Sequence, residues 1–391
     1  MARLAASAER VPHSRIRELA EMAMSMEGVL RLYFGESNLP TPEFIKRAAV
    51  RAMAEGFTFY TENAGLPSLR RAIAAHYRRL HGVATDPASE IVVTASGVQA
   101  LNVAIRCVLG PGDEALVLSP VWPNGASNVA MANAVARQIP HVLCGRRYRV
   151  DFEALAAAIT PRTRVLIYTS PSNPLGWVAS EEEQRQLLDF TRRHDLWLIA
   201  DEVYDRIYYG GPRPGIPAPC ILSKTTRDDA VIVIQSFSKS YCMTGWRLGW
   251  LVARRDVAAK ATQLNEFIIS HAPSFAQKAG EIALTEGEEE LALMIARLQS
   301  NRDLCLEALG GLAGVTVPVP EGAFYVFPRI EGLEDSFAFC KRLLEETRVG
   351  LAPGVAFGPG GEGSVRICYA AERAVLEPAL ERLNHFLRAG S

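Results

Sequence analysis

The sequence predicts an α/β protein: a large unit with a mostly parallel sheet sandwiched by helices, joined to a smaller α+β unit. Two features of the chain predict it. From Ile91 to Val252, short β-rich runs alternate with helical patterns, the order that a parallel sheet with crossover helices imposes. Beyond a long helical stretch, Glu288 to Leu309, the alternation stops and isolated strand-like runs follow. At 391 residues, 49% hydrophobic and 22% charged, the chain reads as an ordinary globular sequence too long for one small core. The expected division is residues 46–286 for the large unit, with 1–45 and 287–391 forming the smaller one.

The elements follow in order. Ser14 to Met26 has a short helical pattern, an arm too short to form its own core and expected to pack on the C-terminal unit. Leu30 to Phe34 is apolar and stops at Gly35; the segment Gly35 to Pro42 is a loop by its turn chemistry. Thr41 is expected to cap a helix with Pro42 at its first position. Gly65 to Ser68 opens a helix through Leu80, whose residues Leu69, Ile73, Tyr77 and Leu80 share one face. Strands are expected at Ile91–Ala95, Ala115–Leu118, Arg164–Thr169, Leu196–Ala200 and Val231–Ile234, with another apolar run at Leu248–Val252. Leu101 to Leu109 is apolar on a helical period, and Ser180 with Glu183 forms a capping box ahead of a helix ending near His194. Ala323–Pro328 and Val365–Tyr369 read as strands of the smaller unit.

A net charge of −1 argues against a dedicated nucleic-acid binder. Seven cysteines scattered singly, with no C-x-x-C pair, read as reduced thiols and not as a zinc site or a disulfide framework. No apolar run approaches a membrane span, and Met1 to Glu9 has no signal-peptide core. A few early arginines suggest a transit peptide, but Glu9, Glu18 and Glu21 oppose it, so the cytoplasm is the expected location.

In a sheet of this kind the site lies beyond the carboxyl ends of the strands. Beyond Val231–Ile234 comes Ser236-Phe-Ser-Lys-Ser-Tyr-Cys-Met-Thr-Gly-Trp-Arg247. A lysine held from water there loses basicity and becomes a nucleophile, and an arginine among serines can fork onto a phosphate. Together Lys239, Arg247 and Ser236 describe a seat for pyridoxal phosphate bound as a Schiff base, although a solvated loop would carry the same residues. Other strand ends add candidates. Gly97 and Val98 open a helix whose free N–H groups suit a phosphate. Trp122 could stack on a pyridine ring, and Asn173, clamped between two prolines, is a fixed donor for a phenolate oxygen. Asp201 ends a buried strand and needs a cation to justify its desolvation, which a pyridinium nitrogen supplies; Tyr204 could reach the neighbouring ring oxygen. Taken singly, each also fits a commonplace: a glycine turn, rim packing, an Asn-Pro turn, a helix cap. Gly358, Gly360 and Gly363 match G-x-G-x-x-G, but they precede a strand instead of following one, so they read as a flexible turn.

With these strand ends the sequence resembles a class I aminotransferase of the aspartate aminotransferase superfamily, in fold type I of the pyridoxal-phosphate enzymes. The resemblance runs from Gly35 to about Leu387. It rests on Ser236-Phe-Ser-Lys239 leading to Gly245-Trp-Arg-Leu-Gly249, on Asp201-Glu-Val-Tyr204 and on Ser172-Asn-Pro-Leu-Gly176, in the family's order and spacing. It implies a seven-stranded-type sheet in a large cofactor-binding domain. It also implies a role for each candidate. Lys239 carries the cofactor and shuttles the proton, Asp201 keeps the ring nitrogen protonated, Asn173 and Tyr204 bind the ring oxygen, and Trp122 stacks. Ser236, Arg247 and the amides of Gly97 and Val98 hold the phosphate, joined by Tyr60 from a partner subunit of a homodimer. Arg366 matches the arginine that binds the substrate's α-carboxylate, and Gly35 the loop that closes over it.

The activity implied is transfer of an amino group from an L-amino acid to a 2-oxo acid by a ping-pong route, with no metal. Val98 stands where one acidic-substrate branch has a lysine, and Glu266 near where another has an arginine, so a neutral or aromatic donor is favoured over aspartate. A C–S or β-lyase, or another pyridoxal-phosphate enzyme on the same scaffold such as a decarboxylase or an aminocyclopropane synthase, is the alternative. A non-catalytic, cofactor-binding regulator is another, weakened because no DNA-binding domain fits before Gly35.

Overall fold

The computed structural model describes residues 3–4, 6–9, 11 and 13–389. Met1, Ala2, Ala5, Arg10, Pro12, Gly390 and Ser391 lie outside them, so the Met1–Glu9 stretch is only partly covered. The central sheet has seven strands, labelled here in chain order: β1 Ile91–Thr94, β2 Glu114–Ser119, β3 Val135–Pro140, β4 Thr163–Thr169, β5 Trp197–Asp201, β6 Val231–Ser236 and β7 Gly249–Ala253. Their order across the sheet is β1-β7-β6-β5-β4-β2-β3. All pairings are parallel except those of β7, which runs antiparallel to β1 and β6.

Side chains alternate between two cores because successive residues of a strand point to opposite faces. In β6, Val231 and Val233 enter one core and Ile232 and Ile234 the other; in β2, Leu116 and Leu118 oppose Ala115 and Val117. Helix Gly97–Val108 covers one face with Ala100, Leu101, Val103 and Ala104, and helix Pro67–His81 covers the other with Leu69, Ile73 and Tyr77. The capping box at Ser180 and Glu183 makes both of its bonds and starts helix Glu181–Arg193.

A third core belongs to the C-terminal half. Helices Glu288–Leu309, Ser336–Thr347 and Arg373–Ala389 enclose a three-stranded antiparallel sheet of Tyr325–Val326, Val365–Cys368 and Ala352–Pro353. Tyr325, Val326, Val365, Ile367 and Cys368 all belong to this core, and the strand register puts Tyr325, Arg366 and Cys368 together on one face of the sheet. The N-terminal arm joins it: Leu30–Arg31 pairs with Val349–Gly350, and Leu19 of helix Arg15–Met24 enters the same core. Among the described residues, no helix is long and apolar enough to cross a membrane.

Several expectations need correction. Thr41 caps nothing; the helix runs Glu43–Ala54 with Pro42 before it and no side-chain cap. The Thr41 hydroxyl is taken by the lysine loop, donating to Cys242 O (2.6 Å) and accepting from Trp246 Nε1 (2.9 Å). Of Ala323–Pro328, expected to be a strand, only Tyr325–Val326 is one, and the apolar run Leu30–Phe34 contributes the two-residue strand Leu30–Arg31. The glycines at 358, 360 and 363 form a turn, but a packed one. All three have left-handed φ, Gly358 lies against Gln138 and Gly360 against Pro140, and Pro359 O accepts from Ser119.

Candidate active site

The ends of β1, β5, β6 and β7 converge because glycines let them. A Cβ on Gly249 would stand 2.5 Å from Gly97 N, and one on Gly97 would meet Ser236 Cβ at 3.2 Å. This brings the first turn of helix Gly97–Val108 against the short helix Phe237–Ser240 that carries Lys239. Backbone strain gathers around the same place. Ser96 (φ 110), Cys242 (φ 51) and Arg247 (φ 51) are non-glycine residues in sparsely populated conformations, the kind of outlier that concentrates at functional sites.

A cavity of about 780 Å³ opens here, with Glu36, Ser238, Lys239, Arg247 and Phe324 in its walls. Lys239 Nζ donates to Gly35 O at 2.6 Å. Burial pushes its pKa down to about 8, against the opposing pull of Cys368 and Glu36. Asp201, the last residue of β5, accepts from Val203 N at 3.3 Å. Burial pushes its carboxyl up to about 6, opposed by that N–H and by the charge of Lys239. The two groups therefore sense each other, yet no ion pair joins them among the described residues. Asp201, Asn173 and Trp122 are not in the cavity's walls.

Arg366 arrives from the middle strand of the small sheet and is fully buried. It donates to Asn173 Oδ1 (2.8 Å) and to Tyr33 O, and its Nε has no partner among the described residues. Its guanidinium lies 4.6 Å from the ring centre of Tyr325, 4.9 Å from Phe357 and 5.8 Å from Trp122. Trp122 N donates to Asn173 O (2.8 Å), which ties two strand ends together. With its Oδ1 committed to Arg366, Asn173 keeps its Nδ2 as the free donor. The Tyr204 hydroxyl is 2.7 Å from that of Tyr325, and Lys239 Nζ is 5.8 Å from the Tyr204 ring.

Gly35, Asn173, Asp201, Tyr204, Lys239, Arg366 and Trp122 are thus brought into one neighbourhood, with Gly97, Ser236 and Arg247 at its edge. Ser236 spends its hydroxyl on its own turn, accepting from Ser238 N (3.1 Å) and bonding Ser238 Oγ (2.9 Å), so Ser238 is the serine in the cavity wall. Tyr60 is not in this neighbourhood; it is 89% exposed and contacts His271. Val98 is exposed, and Glu266 is exposed on helix Arg255–Ile268. The sequence reading passed over Tyr325, Ser238 and Glu36. For Tyr325 the available signal was a phenol inside an apolar run, which needs a partner for its hydroxyl. Among the described residues, no group of three or more His, Cys, Asp or Glu is arranged to hold a metal ion.

The family profile described as "Aminotransferase class I and II" matches residues 28–383. An aspartate aminotransferase of Pyrococcus horikoshii is 35% identical over 386 residues, covering 97% of each chain. Aromatic-amino-acid aminotransferase 2 of Thermococcus litoralis is 34% identical over 384 residues, again covering 97% of each. A mutant Thermus thermophilus aspartate aminotransferase of known structure superposes with a TM-score of 0.90 at 32% identity, covering 98% of this chain and 100% of that one.

Proposed function

The chain belongs to the class I and II aminotransferases and is a transaminase, and from that premise we propose that it moves an amino group from an L-amino acid to a 2-oxo acid, with ping-pong kinetics, on pyridoxal phosphate held at Lys239. One observation carries the reading. Two cations, the half-buried Lys239 and the fully buried Arg366, face one neighbourhood, and among the described residues neither has a carboxylate partner.

Pyridoxal phosphate fits this set. Lys239 would hold it through its amine; Asp201 would keep the pyridine nitrogen protonated; Asn173 Nδ2 and the Tyr204 hydroxyl would donate to the ring oxygen. Trp122 would stack on the ring. Arg247 and Ser238, in the cavity wall, and the amides of Gly97 and Val98 at the helix N-terminus would take the phosphate; Ser236 would join them only by releasing its hydroxyl from its own turn. When bound, the cofactor supplies a sink for the electron pair released at the substrate's Cα. Arg366 binds the substrate's α-carboxylate and thereby fixes which Cα bond faces Lys239. With a pKa near 8, Lys239 has a neutral fraction at physiological pH, so its Nζ can take a proton and give it back. The Gly35 loop is bonded to Lys239 through its carbonyl and would close over the substrate carboxylate.

Residues 46–286 are read as the cofactor-binding domain and 1–45 with 287–391 as the smaller one. The working unit is read as a homodimer whose partner supplies Tyr60. The exposure of Phe59 (79%), Tyr60 (89%) and Phe267 (86%), with Val50 and Met53 at the cavity wall, supports a covering second copy. A solution mass of one chain, about half that of a dimer, would remove this part. Seven free thiols support a reducing cytoplasm. The exposed Val98 and Glu266 supply no second cation, which supports neutral or aromatic donors over aspartate.

The test is a panel of donors and acceptors with spectra. The holoenzyme is expected to be yellow, absorbing at about 420 nm, and to lose both colour and turnover in Lys239→Ala. Phenylalanine or methionine should convert it without release of ammonia and pyruvate. A specificity constant for aspartate far above theirs overturns the donor assignment, and ammonia release with pyruvate makes it a lyase.

A further inference from the structure

We propose that Tyr325 is a positioning residue for the cofactor's ring oxygen, acting through Tyr204: the Tyr325 phenol donates to the Tyr204 oxygen and so commits the Tyr204 proton to that ring oxygen. The inference rests on the role given to Tyr204 above and goes beyond it by naming what holds that phenol in its donating state.

A phenol has one proton to give. The two hydroxyl oxygens are 2.7 Å apart, both rings are buried, and Tyr325 is the one described partner of the Tyr204 hydroxyl. If Tyr204 donated to Tyr325, it would have no proton left for the ring oxygen. If Tyr325 donates, Tyr204 is both acceptor and donor, and each bond strengthens the other. Burial raises both phenols above their ordinary value, so both stay protonated at neutral pH and each has a proton to donate.

Tyr325 is itself held from three sides. Its strand pairs with Val365–Cys368, its ring carries the Arg366 guanidinium at 4.6 Å, and its hydroxyl lies against Gly35, where an added Cβ would collide with it. The Gly35 carbonyl in turn takes the Lys239 amine. The residue therefore joins the arginine proposed for the substrate carboxylate, the loop over the site and the phenol proposed for the ring oxygen. A stronger donor at that oxygen stabilises its negative charge, which lowers the pH at which the lysine-bound cofactor gives up its proton.

The experiment is a pH titration of the absorbance of the full-length holoenzyme, wild type against Tyr325→Phe, Tyr204→Phe and the double variant. Tyr325→Phe keeps the ring over Arg366 and removes only the hydroxyl. It is expected to move the spectroscopic midpoint up by roughly half a unit to one unit, the worth of one neutral hydrogen bond. In the Tyr204→Phe background the same change should move it by less than about a fifth of that shift. Gly35→Ala, which presses on the same hydroxyl from the other side, should also raise the midpoint. An unmoved midpoint in Tyr325→Phe, or an equal shift with and without Tyr204, overturns the proposal. A wild-type protein that takes up pyridoxal phosphate without any pH-dependent yellow band overturns the cofactor reading itself, and the proposal with it.

Discussion

Asp201 shows how far position alters a side chain. Its folded pKa, about 6, is above the ordinary 3.8, so the folded chain keeps a proton that the unfolded chain has released. That contribution to stability is complete below pH 3.8 and is lost as pH rises through 6. Above it, a partly buried carboxylate remains, costing about 1–2 kcal/mol once its partial exposure to solvent is allowed for. Cofactor-free Asp201→Asn is therefore expected to melt ~1–3 °C higher than wild type at pH 7.5, with a smaller gain at pH 5. A lower melting temperature at pH 7.5 would show that the carboxylate is stabilised by something else. Asp201 was legible in the sequence because an acid ending an apolar strand demands a reason. Tyr325 gave only a weak signal, a phenol in an apolar run that needs some partner, and its partner is known only once its hydroxyl is seen 2.7 Å from that of Tyr204.

At the level of elements, the site depends on how closely β7 approaches its neighbours. Gly249 pairs with Thr94 on one side and Ser236 on the other, and a Cβ there would meet Gly97 N at 2.5 Å and Gln235 O at 2.6 Å. Both are backbone atoms and cannot swing aside. Gly249→Ala is expected to cost about 1–3 kcal/mol in a urea titration and to weaken pyridoxal phosphate binding several-fold, because it separates the Gly97 amides from the lysine turn. Unchanged affinity would mean that the phosphate seat does not depend on this approach. The strands themselves were readable as apolar runs, since buried parallel strands need no alternation. The edge strand β3 was not: Val135–Pro140 contains Arg137 and Gln138 and is mostly only half-buried. Helix Ser274–Glu286 was also missed. It packs through Ala276, Ala279, Gly280 and Ala283, small residues that leave little hydrophobic period to detect.

For the whole molecule, the decisive joint is the start of helix Glu288–Leu309, where the chain leaves the large sheet for the small one. Arg206, 1% exposed, bonds Glu288 twice (3.0 and 2.7 Å), and Arg79 adds a third bond at 2.8 Å. Burial would push Glu288 up, but these arginines more than reverse it and hold the carboxyl at about 2, below the ordinary 4.5. The sign is therefore opposite to that of Asp201: the stabilisation is present above pH 4.5 and is lost as pH falls toward 2. Because Glu288 is 40% exposed, its loss is worth only about 1–2 kcal/mol. Glu288→Gln should be less stable by that amount at pH 7, and its acid-side decline between pH 5 and 3 should be shallower. Melting curves across that range check it; a parallel decline in both proteins would remove Glu288 from the account.

The sequence by itself determined the alternation that makes the sheet, the residues that follow each strand, and through their motifs the family. These are local facts, written in runs of a few residues and in the chemistry of single side chains. Only the tertiary structure decided that Tyr325, far along the chain, meets Tyr204 and Gly35, that the Gly35 carbonyl takes the Lys239 amine, and that Ser238 and not Ser236 faces the cavity. The reason is physical: which atoms share a hydrogen bond depends on how two sheets and their helices pack, and packing is a property of distances that no stretch of sequence contains.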